Sequence, residues 1–258
     1  MTTTTRQSAV PPTRRLVGAE VIATRATPTT KLLLVAVLVL TCAAAAATFA
    51  ASDATGRHFS DTLTVRTAMH TSTVSTMILA MLAAIVAVTG EFRHGRIDQL
   101  LLGTPNRSTV LWIKAWVSTG IGTLYGVSGA LIGGSTAWLW FRANGETLDL
   151  SQKIVYQPLL GVILAAPMFA LIGVGISAAI RHQAATIGAV LGWILLIEPL
   201  VSTAMPEIAK WFPLASALAL TYSPNEALLS PMAGGLVLVA YSDVAVLIGR
   251  ARLRRGDV

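Results

Sequence analysis

Long apolar stretches separated by short polar ones form the main pattern of the chain. Six such stretches lie at about 32–51, 71–90, 113–141, 154–180, 183–203 and 232–249. A helix needs ~20 mostly apolar residues to cross a bilayer. The stretches are continuous, whereas the strands of a membrane barrel alternate apolar and polar residues. The pattern therefore predicts an all-α integral membrane protein with six transmembrane helices.

Composition agrees with a membrane location. Of the 258 residues, 54% are hydrophobic and 12% are charged, against ~25% charged residues in a soluble domain. The chain is expected to be one membrane domain over 31–250. The single cysteine, Cys42, excludes an intrachain disulfide and a metal site built on several cysteines.

The cationic residues predict an orientation. If the N-terminus is cytoplasmic, the cytoplasmic segments carry far more Lys and Arg than the outer ones. The outer segments contain only Arg57, Arg66, Arg142, Lys153 and Lys210. This imbalance is the positive-inside pattern. It predicts cytoplasmic termini and explains the net charge of +7 without nucleic acid as a partner.

The segments outside the apolar stretches have different expected roles. Residues 1–12 are polar and threonine-rich, which predicts a disordered tail. Residues 13–30 have a modest amphipathic pattern, which predicts a helix on the inner membrane face. Residues 204–230 contain three prolines among apolar residues, so we expect short helices in the outer leaflet. Residues 251–258 are expected to be a cytoplasmic basic tail.

The polar stretch EFRHGRIDQLLLGTP at 91–105 separates the second and third apolar stretches. Within it, residues 97–104 predict a short amphipathic helix. Its apolar stripe consists of Ile97, Leu100, Leu101 and Thr104. Such a piece joined to two spans is suited to dock into a groove of a soluble partner. It is equally suited to rest on lipid head groups.

The chain carries no Walker motif for binding ATP. A P-loop requires Gly-Lys followed by Ser or Thr, and no Gly-Lys pair occurs in the sequence. If ATP powers the protein, another chain must bind it. We expect no catalytic residue, metal site or cofactor on this chain.

Four glycines repeat at helical spacing in the third stretch, namely Gly122, Gly126, Gly129 and Gly133. Small residues allow helix backbones to approach closely in a membrane. The spacing predicts a packing face, whose partner could lie within this subunit or in another one.

Two acidic residues lie within apolar stretches. Asp243 is inside the last stretch, where an ionisable group is a candidate for a transport pathway. It could instead be protonated or hydrogen-bonded to a neighbouring helix. Glu198 precedes Pro199 near the end of the fifth stretch, where a structural role at a helix break competes with contact to a transported substrate.

The segment EFRHGRIDQLLLGTPNRSTVLWIKAW resembles the region between spans two and three in permease subunits of ATP-binding-cassette transporters of the type-2 exporter class. The matching residues are Glu91, Phe92, Arg93, Gly95, Thr104, Pro105, Arg107 and Lys114. The similarity extends to GAEVIATRATPTT, with Glu20 and Arg25, and to the fourth and fifth stretches. There the matching positions are Gly173, Gly175, Arg181, Gln183, Ala184, Ala185 and Glu198. Asp243 departs from the pattern, because relatives usually have an apolar residue at that position.

This resemblance implies a bacterial cytoplasmic-membrane permease that forms a pathway with a second permease subunit, identical or homologous. Two cytoplasmic ATPase subunits, which bind ATP and Mg, would dock on the 91–105 segment and on the N-terminal helix, and 204–230 would cap the outer exit. The implied coupling residues are Glu91, Phe92, Arg93, His94, Gly95, Arg96, Ile97, Leu100, Leu101, Glu20 and Arg25. The substrate would be a hydrophobic or amphipathic compound such as a drug, antibiotic, lipid or peptide.

Two other classes of function stay open at this point. A proton-coupled secondary transporter would use Asp243 as its coupling site and would be expected to contain internal repeats. A membrane scaffold or regulator of a signalling complex would transport nothing. The exporter requires a separate ATPase, whereas the other two do not.

Overall fold

The computed structural model describes residues 28–54, 60–93, 107–221 and 228–255, together with positions 18 and 58. Those residues form helices and connecting turns, without any strand. The helices are α1 (Pro28–Ala54), α2 (Thr62–Arg93), α3 (Arg107–Ala143), α4 (Lys153–Ile180), α5 (Gln183–Gly192), α6 (Glu198–Ala204), α7 (Pro206–Ala209), α8 (Pro213–Leu220) and α9 (Pro231–Arg255). A π-helical stretch, Trp193–Ile197, joins α5 to α6.

The described chain contains six helical segments long and apolar enough to cross a membrane. They are Lys31–Ser52, Thr62–Phe92, Val110–Ala143, Lys153–Ile180, Gln183–Ala204 and Pro231–Leu253. The all-α prediction and the six apolar helices are thus confirmed, and they suit a multi-pass membrane protein. We call Gln183–Ala204, which comprises α5, the π-helical stretch and α6, the fifth span.

The second span starts at Thr62, nine residues before the predicted position of 71. Its first turns are rich in threonine, which obscures the apolar pattern. These hydroxyls bond back to the helix itself, as Thr67 Oγ1 does to the Leu63 carbonyl at 2.8 Å. Val65 and Met69 on the same turns are buried against α1 and α3, so packing extends the helix beyond its apolar run.

The helices α2 and α4 form the centre of the bundle. Met77, Met81 and Ile85 of α2 are buried together with Val162 and Phe169 of α4. The helices α1 and α3 pack on one side of this pair, and α9 packs against α4. A hydrogen bond of 3.1 Å between the buried hydroxyls of Thr41 and Thr76 links α1 to α2.

The fifth span is interrupted in its middle. Proline cannot donate a backbone hydrogen bond, and its ring collides with the carbonyl four residues earlier. Pro199 has this effect on the turn containing Leu195, and the N–H of Glu198 bonds to the Trp193 carbonyl, five residues back. Beyond this span, α7 and α8 are short helices, as expected for 204–230, and each begins with a proline at its first position.

Candidate functional site

A buried ion pair joins α2 to α3. The ammonium group of Lys114 donates a hydrogen bond to the carboxylate of Glu91, and the two side chains are only 4% and 13% exposed. Glu91 lies in the last turn of α2 and Lys114 in the second turn of α3. The pair therefore fixes the separation of the two helices at the base of the connecting segment 94–106.

Arg181 links the end of α2 to the ends of α4 and α9 at the same end of the bundle, which we call the basic end. Its backbone has φ of 60°, which is uncommon for a residue other than glycine, and its N–H bonds to the Ser177 carbonyl at 2.8 Å. Its guanidinium carbon lies 6.0 Å from the ring centroid of Phe92. Its Nη2 donates to the Arg252 carbonyl at 2.9 Å. One side chain thus contacts α2 and α9 from the end of α4.

Three of the eleven predicted coupling residues lie within the part of the chain that the structure describes. Glu91 and Phe92 lie at the basic end, with the contacts just given, and Arg93 is the last residue of α2. The remaining members fall outside the described residues, namely Glu20, Arg25, His94, Gly95, Arg96, Ile97, Leu100 and Leu101. The predicted coupling helix and the N-terminal amphipathic helix therefore remain predictions.

The four glycines of α3 pack against helices of the same chain. A methyl group on Gly122 would lie 2.7 Å from the Cα of Pro167, and one on Gly126 would lie 2.8 Å from the Val162 carbonyl oxygen, both in α4. On Gly129 it would lie 2.3 Å from Thr76 Oγ1, and on Gly133 it would lie 3.0 Å from Ser72 Oγ, both in α2. Helix packing within the subunit thus uses the whole glycine face.

Asp243 lies on the exposed surface of α9, not between helices. It is about 18 Å along the helix from Pro231, near the middle of the sixth span. In the described part of the chain it makes no hydrogen bond or ion pair. Ionisable groups at this depth normally face protein or a water-filled cavity. This face of α9 therefore requires protein or water against it.

Glu198 is held at the break of the fifth span. Its Oε1 accepts hydrogen bonds from Trp193 Nε1 at 3.0 Å and from the Leu214 N–H at 3.4 Å. The residue is only 5% exposed. The first bond spans the π-helical stretch and the second reaches α8, so Glu198 stabilises the break, as one of its two expected roles requires.

Sequence reasoning did not single out Trp193 as a site residue. Its ring lies 5.4 Å from that of Phe212, between centroids, with an interplanar angle of 54°. A tryptophan five residues before a glutamate gives no helical-face signal, because this spacing matches only a π-helical turn. Pro199 was the sequence feature that indicated a break in the fifth span at this position.

In comparisons with known proteins, no family model matches the chain, and no curated protein matches it in sequence.

Proposed function

We propose that this protein is the membrane-spanning permease subunit of an ATP-driven exporter of the type-2 ATP-binding-cassette class. Two cytoplasmic ATPase subunits would bind ATP and Mg, and a second permease subunit would complete the pathway. The substrate would be a hydrophobic or amphipathic compound.

The observation that carries this proposal is the buried ion pair of Glu91 and Lys114. A transmission segment works only if force applied to it moves the spans and is not absorbed by a flexible joint. The pair ties the end of α2 to the start of α3 directly behind residues 94–106. A push on that segment would therefore displace both helices together.

Arg181 extends the same connection to two more spans, α4 and α9. Through its contacts with Phe92 and the Arg252 carbonyl, a displacement of the end of α2 would reach α4 and α9. Because the helical rods are stiff, a movement at the basic end would be transmitted along the bundle. Rigid packed elements of this kind carry coupling between distant sites.

The exposed faces support a second permease subunit. The first and fifth spans have the smallest buried share of all six candidate spans, at 22% each. Asp243 is exposed on the sixth span, where a charged group against lipid is costly. A neighbouring permease, with the pathway between the two subunits, would cover these surfaces with protein and water.

The test is recovery of an ATPase with the tagged chain, purified in mild detergent from its native host. Leu100→Asp and Arg93→Glu place negative charge on the expected docking segment and should abolish recovery while the chain still inserts. Matched controls are Leu150→Asp and Arg142→Glu, which make the same changes on the exposed far side of the bundle and should leave recovery unchanged.

The recovered protein should be stoichiometric and should hydrolyse ATP on its own. Recovery of no ATPase in several detergents would contradict the exporter proposal and would favour a proton-driven carrier or a scaffold. Equal recovery with all four variants would contradict the docking role of the 91–105 segment.

A further inference from the structure

A cavity of about 420 Å³ lies between α2, α4, the fifth span and α9. Its floor consists of buried apolar side chains, including Met81, Phe169 and Ile194. Small-molecule sites typically have volumes of ~300–1,000 Å³ with mostly apolar walls and a few placed polar groups. This cavity is at the lower end of that range, which suits a single hydrocarbon chain or a small ring system.

The lining contains one carboxyl group, that of Glu198, together with the hydroxyl of Tyr241 and the indole N–H of Trp193. Oε1 of the carboxyl group accepts from two N–H donors, Trp193 Nε1 and Leu214 N. Among the described residues no Lys, Arg or His pairs with it. Burying a carboxylate without an opposite charge is costly. The ionised form of Glu198 is therefore favoured when a cationic ligand occupies the cavity and compensates its charge.

The mouth of the cavity opens sideways. Trp193, Tyr241, Val244 and Ile248 line it and are each 37–52% exposed on the surface of the bundle. They belong to the fifth span and to α9, both of which are candidate membrane spans. In the chain alone, a ligand would therefore enter from the hydrocarbon region.

We propose that this cavity binds an amphipathic amine, with its protonated head group at Glu198 and its apolar body over the floor. A charge-assisted hydrogen bond to a carboxylate is about twice as strong as a neutral one, and the face of Trp193 adds cation–π attraction. An anionic head group is repelled, and a neutral alcohol loses the ionic contribution. The claim that such an amine is an export substrate rests on the proposed function. The claim that the cavity binds the amine does not require an ATPase.

The experiment measures binding to the purified full chain alone, in nanodiscs of zwitterionic phosphatidylcholine. The probe is 3-bromobenzylamine, because bromine quenches tryptophan fluorescence on contact and here lies close to the ammonium group, and so to Trp193 beside Glu198. The corresponding 3-bromobenzyl alcohol and 3-bromobenzoic acid are the matched neutral and anionic probes. Partition into lipid gives unsaturable quenching of exposed tryptophans, so the saturable component reports the cavity.

In the unmodified protein, the amine should give saturable quenching. The affinity of the alcohol and of the acid should be lower by about tenfold or more. Trp193→Phe should remove the saturable component. Glu198→Gln retains an oxygen acceptor for the two N–H donors and should weaken amine binding to the level of the alcohol. Glu207→Gln changes an exposed glutamate nearby and should bind as the unmodified protein does.

Val244→Phe is a second test that leaves Glu198 untouched. It places a ring at the exposed mouth and should abolish saturable quenching. Equal saturable binding of all three probes to the unmodified protein would overturn the amine assignment. Absence of saturable quenching with every probe would overturn the binding site. Both outcomes are read on the chain alone, so they are distinct from a failure to recover an ATPase.

Discussion

Gly175 brings α4 and α9 into backbone contact, and replacing it with alanine tests how tightly the bundle is packed. A methyl group at this position would lie 2.2 Å from the carbonyl carbon and the carbonyl oxygen of Ala245. Ordinary contacts of this kind begin near 3.4 Å, so the two helices must separate by about 1.2 Å. The atoms of Ala245 that collide belong to the backbone and cannot rotate away.

The expected effect follows from two opposing contributions. Alanine is favoured over glycine in a helix by ~1 kcal/mol. Overpacking typically costs ~1–3 kcal/mol, and the displacement of a whole helix places Gly175→Ala at the upper end. We therefore expect a net loss of about 2 kcal/mol in the free energy of unfolding. Gly188→Ala is the control, because nothing lies within 4 Å of a methyl group at that position of α5.

The assay is unfolding of the purified chain in mixed micelles of rising dodecyl sulfate content, followed by circular dichroism. Gly188→Ala should unfold at an equal or higher dodecyl sulfate fraction than the unmodified protein, and Gly175→Ala at a clearly lower one. If Gly175→Ala is as stable as Gly188→Ala, the close contact of α4 with α9 does not exist in the folded protein.

Two further predictions concern charged residues. Lys114→Met removes the ammonium group that pairs with the largely buried Glu91 and should cost ~3–5 kcal/mol in the same unfolding assay, whereas the double variant with Glu91→Leu should recover most of the loss. A loss below ~1 kcal/mol, typical of an exposed pair, would contradict the burial of this ion pair. In a Cys42→Ala background, Asp243→Cys should react with a charged, membrane-impermeant thiol reagent, because water or a pathway is expected beside it. Leu131→Cys, on an exposed apolar face of α3, should resist the same reagent, and equal protection of both positions would contradict an aqueous surface at Asp243.

The number of spanning helices could be predicted because the apolar runs are long and are separated by charged or proline-containing segments. The start of α2 could not, since Thr62, Thr64 and Thr67 are polar in the sequence but satisfy helical geometry in the fold. Hydropathy measures transfer of side chains from water, not packing against neighbouring helices. Hydropathy therefore does not detect a polar helical turn that packs against neighbouring helices, as the turn containing Val65 does.

The ion pair of Glu91 and Lys114 at the basic end could likewise not be predicted from the sequence pattern. Glu91 and Lys114 are 23 residues apart, a distance that no helical or strand spacing connects. Only the hairpin of α2 and α3 brings them together. The resemblance named both residues without pairing them. The spacing of the glycines predicted a packing face correctly, but it could not choose between a partner helix in this chain and one in another.

The turn between α4 and α5 has a mechanical consequence. Only Arg181 and His182 separate the two helices, and the contacts of Arg181 hold that end in place. The fifth span can therefore tilt about its first residues, whereas its opposite end is displaced most. Glu198 lies sixteen residues from His182, about 24 Å along the axis. A tilt of about 5° around these first residues would displace Glu198 by about 2 Å while hardly moving His182. A small rotation at the basic end would therefore change the width of the cavity beside Glu198.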